Sequence, residues 1–147
     1  MQAPQRPTLA ELYHNIPKKA VISKVVFKTT TNDVLLVKPN YKDGWQLPGG
    51  LVDAKEDPLE AAIREVYEEI GLVIDHATLQ IVATAHNHTH DSVSLIYEYM
   101  PFIDESARIT LQEEELSDYQ FINPAAAIDL TSDYYRPFWE LFSTKSL

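Results

Sequence analysis

The chain has 147 residues, no cysteine and 45% hydrophobic residues, the size and apolar content of one globular domain over residues 1–147; disulfide stapling, thiolate catalysis and cysteine-ligated zinc are excluded. Its 22 acids against 12 bases give a formal net charge of −10, which disfavours nucleic acid, anionic membranes and densely phosphorylated ligands as partners. A small anionic substrate fits that charge if divalent cations bind first and reverse the local field.

The opening MQAPQRPTLAELYHNIPKKA lacks the apolar stretch of a signal peptide, and nowhere do about 18 apolar residues run together, so a soluble, cytoplasmic protein is expected. Pro7 to Asn15 carries Leu9, Leu12 and Tyr13 at helical spacing before Pro17, which predicts a short helical cap within residues 1–17. Ala20 to Lys28 and Val34 to Lys38 are rich in β-branched and aliphatic residues, with TTTND as a hairpin turn between them. A polar loop through Tyr41 to Gly44 leads into WQLPGG, and all four glycines lie between Gly44 and Gly71. Lys38 and Lys42 are placed to meet a phosphate or to be ordinary surface lysines. Tyr41 is a candidate for stacking a base, whereas Trp45 has strand spacing with Leu47 and reads as core.

The next helix is marked at both ends. Asp57 is a suitable N-cap, Pro58 fits the first helical position, Glu60 completes a capping box, and Gly71 supplies the stop. At about 100° per residue, with Glu65 at zero, Glu68 falls near 300° and Glu69 near 40°, while Leu59, Ile63, Val66 and Ile70 cluster near 100° to 160°. One face is core and the neighbouring face is carboxylate. Glu65 and Glu69 are like charges one turn apart, Glu68 and Glu69 crowd the negative end of the helix dipole, and Arg64 is the only base on the helix. Three carboxylates so close form an oxygen-rich cluster of the kind Mg²⁺ or Mn²⁺ prefers, with room for two ions; the alternative is a solvated acidic face.

His86, His88 and His90 alternate in AHNHTHDS, so on a strand they share one face. They read as a polar hairpin tip, as substrate contacts or as a separate metal site. In SVSLIYEYM, Tyr97 and Tyr99 alternate with Ile96 and Glu98, so one set is expected to face the core and the other a cleft or solvent. Glu113, Glu114, Glu115 and Asp118 form an acidic stretch before a strand at Tyr119 to Ile122. DYYRPFWELF predicts an aromatic helix covering the sheet, with Pro137 near its start and a homodimer contact left open.

Gly50 to Leu72, GLVDAKEDPLEAAIREVYEEIGL, resembles the Nudix box of the Nudix hydrolase family. Gly50, Glu56, Arg64, Glu65, Val66, Glu68, Glu69, Gly71 and Leu72 each stand where that motif requires them, and WQLPGG and EELSDYQFINPAAAI are similar to its flanking pattern. The resemblance implies an α/β fold: an α/β/α sandwich with a mixed central sheet and the box as a loop-helix-loop. It implies Glu65, Glu68, Glu69 and the Gly50 carbonyl as ligands of Mg²⁺ or Mn²⁺, with Arg64 and Glu56 in support. The implied reaction is hydrolysis of a pyrophosphate bond in a small nucleotide-type substrate by metal-activated water. Glu68 or Glu69 is then the first candidate for the base, and Glu115 stands out in the later acidic stretch. Lys38, Tyr41, His86 and His88 are the candidate substrate contacts. A non-catalytic nucleotide-sensing module of the same fold is the competing reading.

Overall fold

Alternation along β1 (Ala20–Val26) sends Val25 to one side of the chain's central layer and Val26 to the other, and both are fully buried. A strand so enclosed needs cover on both faces, which helices supply. The computed structural model describes residues 2–144; Met1 and residues 145–147, part of the predicted domain, lie outside the described residues.

β1 pairs in parallel with β5 (Ser92–Tyr99) and antiparallel with β3 (Gly49–Leu51), while β4 (Leu79–Asn87) adds antiparallel to β5. The order is β3-β1-β5-β4, and β2 (Val34–Pro39) pairs antiparallel with β6 (Leu116–Ile122) beside it. The sheet is mixed, as expected. The helix α2 (Pro58–Ile70) covers one face through a core that includes Val25, Phe27, Leu35, Val37, Val66 and Ile70. Two later helices, α3 (Pro124–Leu130) and α4 (Arg136–Thr144), cover the other face with Val26, Val34, Leu36, Ile96, Phe138 and Trp139. This is the predicted α/β/α sandwich. Trp139 also donates its indole N–H to Thr131 Oγ1 at 2.8 Å, so the polar edge of the buried ring is satisfied.

Several expectations are revised. Residues 29–33 do turn, with Asn32 at φ 64° and the Thr29 N–H donating to the Asp33 carbonyl at 2.9 Å. Beyond the Lys28–Val34 bridge, however, the two strands part, because β1 pairs with β3 and β5 whereas β2 pairs with β6. In β5 both alternating sets face packed layers: Ile96 lies in one core and Tyr97 in the other. The N-terminal helix α1 (Leu9–Asn15) forms under a Thr8 cap, yet none of its residues is buried, so it does not cover the core. Glu60 does not close a capping box; its carboxylate pairs with His76. Among the described residues no helix is long and apolar enough to cross a membrane.

Candidate active site

The register of β1 against β3 sets Lys24 opposite Gly49 and Ser23 opposite Gly50, bringing the glycine turn alongside the start of α2. Ser23 Oγ donates to the Pro58 carbonyl at 2.7 Å, tying the strand to the helix. Gly49 has φ +137°, and a Cβ there would stand 2.0 Å from the Ser23 carbonyl oxygen. Only glycine allows that approach. The Gly49 N–H donates to Glu69 Oε1 at 2.6 Å, 20 residues further along the chain. A Cβ on Gly50 would lie 2.5 Å from the Glu65 carboxyl carbon, so the missing side chain is what lets backbone and carboxylate meet.

Arg64 organises the carboxylates from beside them. Its Nε and Nη2 donate to the two oxygens of Glu56 at 2.8 and 2.9 Å, a bidentate fork. Nη1 donates to Glu65 Oε1 at 3.0 Å and to Glu68 Oε2 at 3.1 Å, and Nη2 also reaches the Leu51 carbonyl at 3.2 Å. The hydrogen bonds from Arg64 hold the Glu56 carboxyl down at about 2, with the Asp53 N–H assisting. The same contacts hold the guanidinium firmly protonated.

Burial has the opposite effect on the other acids. Desolvation raises the Glu65 carboxyl above its usual value against the pull of Arg64, and Glu68 and Glu115 add like charge. Glu69 is only 3% exposed; burial pushes its carboxyl up, opposed by Lys24 and the Gly49 N–H. Lys24, 6% exposed, donates from Nζ to the carbonyls of Leu47 at 3.1 Å and Gly49 at 3.4 Å. Its burial lowers the ammonium, while Glu69 favours the charge. In sequence, the signal for this residue is a lysine inside AVISKVVF, where it interrupts a buried face.

These groups share a cleft of about 420 Å³, a size typical of small-molecule sites. Glu65, Glu68, Glu69 and Glu115 line one side with Gly50; Lys24, Lys42, Tyr41 and Gln46 line the remainder with Tyr134 and Tyr135. Arg64 and Glu56 stand behind the carboxylates. Of the acidic stretch before β6, only Glu115 lines this cleft. Tyr41 is 71% exposed at its rim.

Three predicted contacts are not brought here. The Lys38 ammonium sits 5.9 Å from the Trp45 ring centroid, outside the cleft lining. The register Ile22↔Ser94↔Ala85 puts Ala85 on the cleft's face of the sheet, so His86, one residue on, faces the other way. His86 Nε2 meets Asp91 Oδ1 at 3.1 Å, and its ring packs edge-on to His88 at 4.5 Å. His86 lies near the end of β4 while His88 and His90 lie in the turn that follows, which fits the hairpin-tip reading. A second, more apolar hollow of about 240 Å³ lies between β4 and α4 and holds the Lys28–Glu98 ion pair, away from every carboxylate of α2.

The donor set suits a hard divalent cation. It offers only oxygen, its acids repel one another, and Gly50 leaves open the approach that a side chain would fill. Among the described residues no three His, Cys, Asp or Glu side chains are already gathered at metal-binding distances, since Glu65 and Glu68 turn to Arg64 and Glu69 to the Gly49 amide. Glu68, 47% exposed, has the freedom to leave its partner.

The NUDIX domain family profile matches residues 17–142. The chain belongs to the NUDIX family. An RNA pyrophosphohydrolase of Ruthia magnifica subsp. Calyptogena magnifica is 42% identical over 55 residues, covering 37% of this chain and 31% of that protein. The NUDIX chain spans about a third of the length of the curated relatives it matches. A MutT protein from Methanosarcina mazei Go1 superposes with a TM-score of 0.73 at 20% identity, over 89% of this chain and 98% of that one. The NUDIX domain of Shewanella oneidensis NrtR, solved with ADP ribose, does so with a TM-score of 0.69 at 18% identity, over 95% and 98%. Both likenesses are of NUDIX fold.

Proposed function

We propose that this chain is a divalent-metal-dependent hydrolase cleaving the pyrophosphate bond of a small nucleoside diphosphate joined to another moiety: a nucleotide sugar, a nucleoside triphosphate or a dinucleotide polyphosphate. The observation that carries the reading is the single guanidinium of Arg64, which grips Glu56 with a fork and reaches Glu65 and Glu68 together. A solvated acidic face has no need of such an arrangement; a site whose carboxylates must be held in fixed orientation does.

Glu65, Glu68, Glu69 and the Gly50 carbonyl would hold Mg²⁺ or Mn²⁺. When bound, such an ion neutralises the diphosphate and makes water a nucleophile near neutral pH. Arg64 fixes the Glu65 and Glu68 carboxylates against rotation. The Gly49 N–H fixes Glu69 from the strand side. Glu68, the most exposed of Glu65, Glu68 and Glu69, is the base that accepts the proton of the attacking water, with Glu115 in the same cleft lining as the second candidate. Tyr41 and Lys42 receive the rest of the substrate at the rim.

The net charge of −10 argues for a small nucleotide over an RNA end, despite the names of some relatives, because RNA calls for a broad basic surface. The ADP ribose held by the NrtR domain is a ligand of the proposed class. A broad nucleotide panel with Mg²⁺ tests the reading: nucleoside monophosphate release is expected, falling by about 10²-fold or more in Glu68→Gln. Background release across the panel, unchanged by that substitution, would favour a non-catalytic sensor.

A further inference from the structure

Gln46 is polar, 7% exposed, and part of the cleft lining. Its backbone is fully used: N–H and carbonyl exchange hydrogen bonds with Val37 at 2.9 and 2.8 Å, fixing where the side chain emerges. Among the described residues its side-chain amide makes no hydrogen bond, in contrast to buried Ser23, Ser94 and Lys24, which all have partners. No fully enclosed side-chain nitrogen or oxygen lacks a partner among the described residues, so the Gln46 amide is open to the cleft. With both its donor and its acceptor free, the conclusion does not depend on which way the amide is turned.

We infer that Gln46 is a specificity-determining residue, whose amide pairs with a nucleobase edge that carries a donor beside an acceptor. This deepens the hydrolase reading and rests on it for the shared cleft. A bidentate amide-to-base pair is an established recognition geometry. The surrounding groups suit a flat heteroaromatic ring: Tyr134 lines the cleft and exposed Tyr41 stands at its rim. The polyphosphate lies toward Lys24 and the glutamates. The substrate is therefore selected by its base as well as by its diphosphate, and a base-free polyphosphate forfeits one end of the site.

Calorimetric titration with α,β-methylene analogues of ATP, GTP, CTP and UTP, and with tripolyphosphate, all in saturating Mg²⁺, tests this through binding. The wild type is expected to bind at least one base-bearing analogue about tenfold more tightly than tripolyphosphate, and Gln46→Leu to erase that difference while leaving tripolyphosphate within about twofold. Gln46→Glu keeps the side chain's shape but removes its donor, and is expected to change which base is preferred. Equal affinity of the wild type for tripolyphosphate and all four analogues, or an equal loss for every ligand in both variants, overturns the inference, as does no binding of any ligand. Hydrolysis of the parent nucleotides is read separately. Turnover without base selectivity sinks this inference alone, and base-selective binding without turnover sinks only the hydrolase reading.

Discussion

Lys24 and Glu69 hold Gly49 from its two ends: the ammonium donates to its carbonyl at 3.4 Å, and the carboxylate accepts from its N–H at 2.6 Å. The strand β1 and the helix α2 thus grip one peptide residue that has room for no side chain. Gly49→Ala would combine a positive φ with a Cβ inside the Ser23 carbonyl, and a loss of more than about 3 kcal/mol is expected. Chemical denaturation measures it; a loss under about 1 kcal/mol would show that the turn yields easily.

Glu69 makes the metal-free protein sensitive to pH in a defined direction. Burial raises its carboxyl from 4.5 to about 7 in the fold. The native state therefore holds a proton that the unfolded chain has released, and stability is highest below the unfolded value and declines as pH rises through the folded one. In EDTA the melting temperature is expected to fall between pH 4.5 and 7, and Glu69→Gln to flatten that slope. Saturating Mg²⁺ should raise the melting temperature at the upper end of this range, because binding favours the charged carboxylates. A slope of the opposite sign would refute the assignment.

Arg64→Lys keeps the charge and loses the fork. One ammonium cannot span Glu56, Glu65 and Glu68 as the guanidinium does. Metal affinity or kcat is expected to fall by about 10- to 100-fold, with the fold retained by circular dichroism. Wild-type kinetics in this variant would reduce Arg64 to a surface ion pair.

His76 is held in its charged form above the usual imidazole value, chiefly by its hydrogen bond to Glu60. In an NMR titration its midpoint should drop in Glu60→Gln. That pair contributes below the normal histidine range and is lost as pH rises through the raised midpoint. An unmoved midpoint would mean that the contact is absent in solution.

His86→Ala and His88→Ala should leave kcat/KM within about twofold, since neither ring lines the cleft and substitutions away from a site have small effects. A larger loss in either would return the histidines to substrate binding.

The α2 half of the site was legible in sequence because its information is local. The Asp57 cap, Pro58, the carboxylate spacing and the Gly71 stop all lie within one helix, and each is formed as read except the Glu60 box. The other half depends on strand register. Nothing near Lys24 in sequence says that it faces Gly49, and nothing near Gln46 says that its amide meets no partner. The same limit explains the histidines: alternation placed His86 and His88 on one face, but which face is decided by pairing with β5. Along β5, alternation alone shows two faces but not that both are covered; Tyr97 packs in the α2-side core, and the layer over Ile96 comes from α3 and α4, far along the chain.

The most direct measurement is the mass of both products when a nucleotide panel is incubated with Mg²⁺ in ¹⁸O-labelled water. One substrate class is expected to split at its pyrophosphate bond with a single ¹⁸O on one product phosphate, and the label should vanish with EDTA. Intact substrates across the panel, or cleavage without solvent label in a phosphate, would contradict the account.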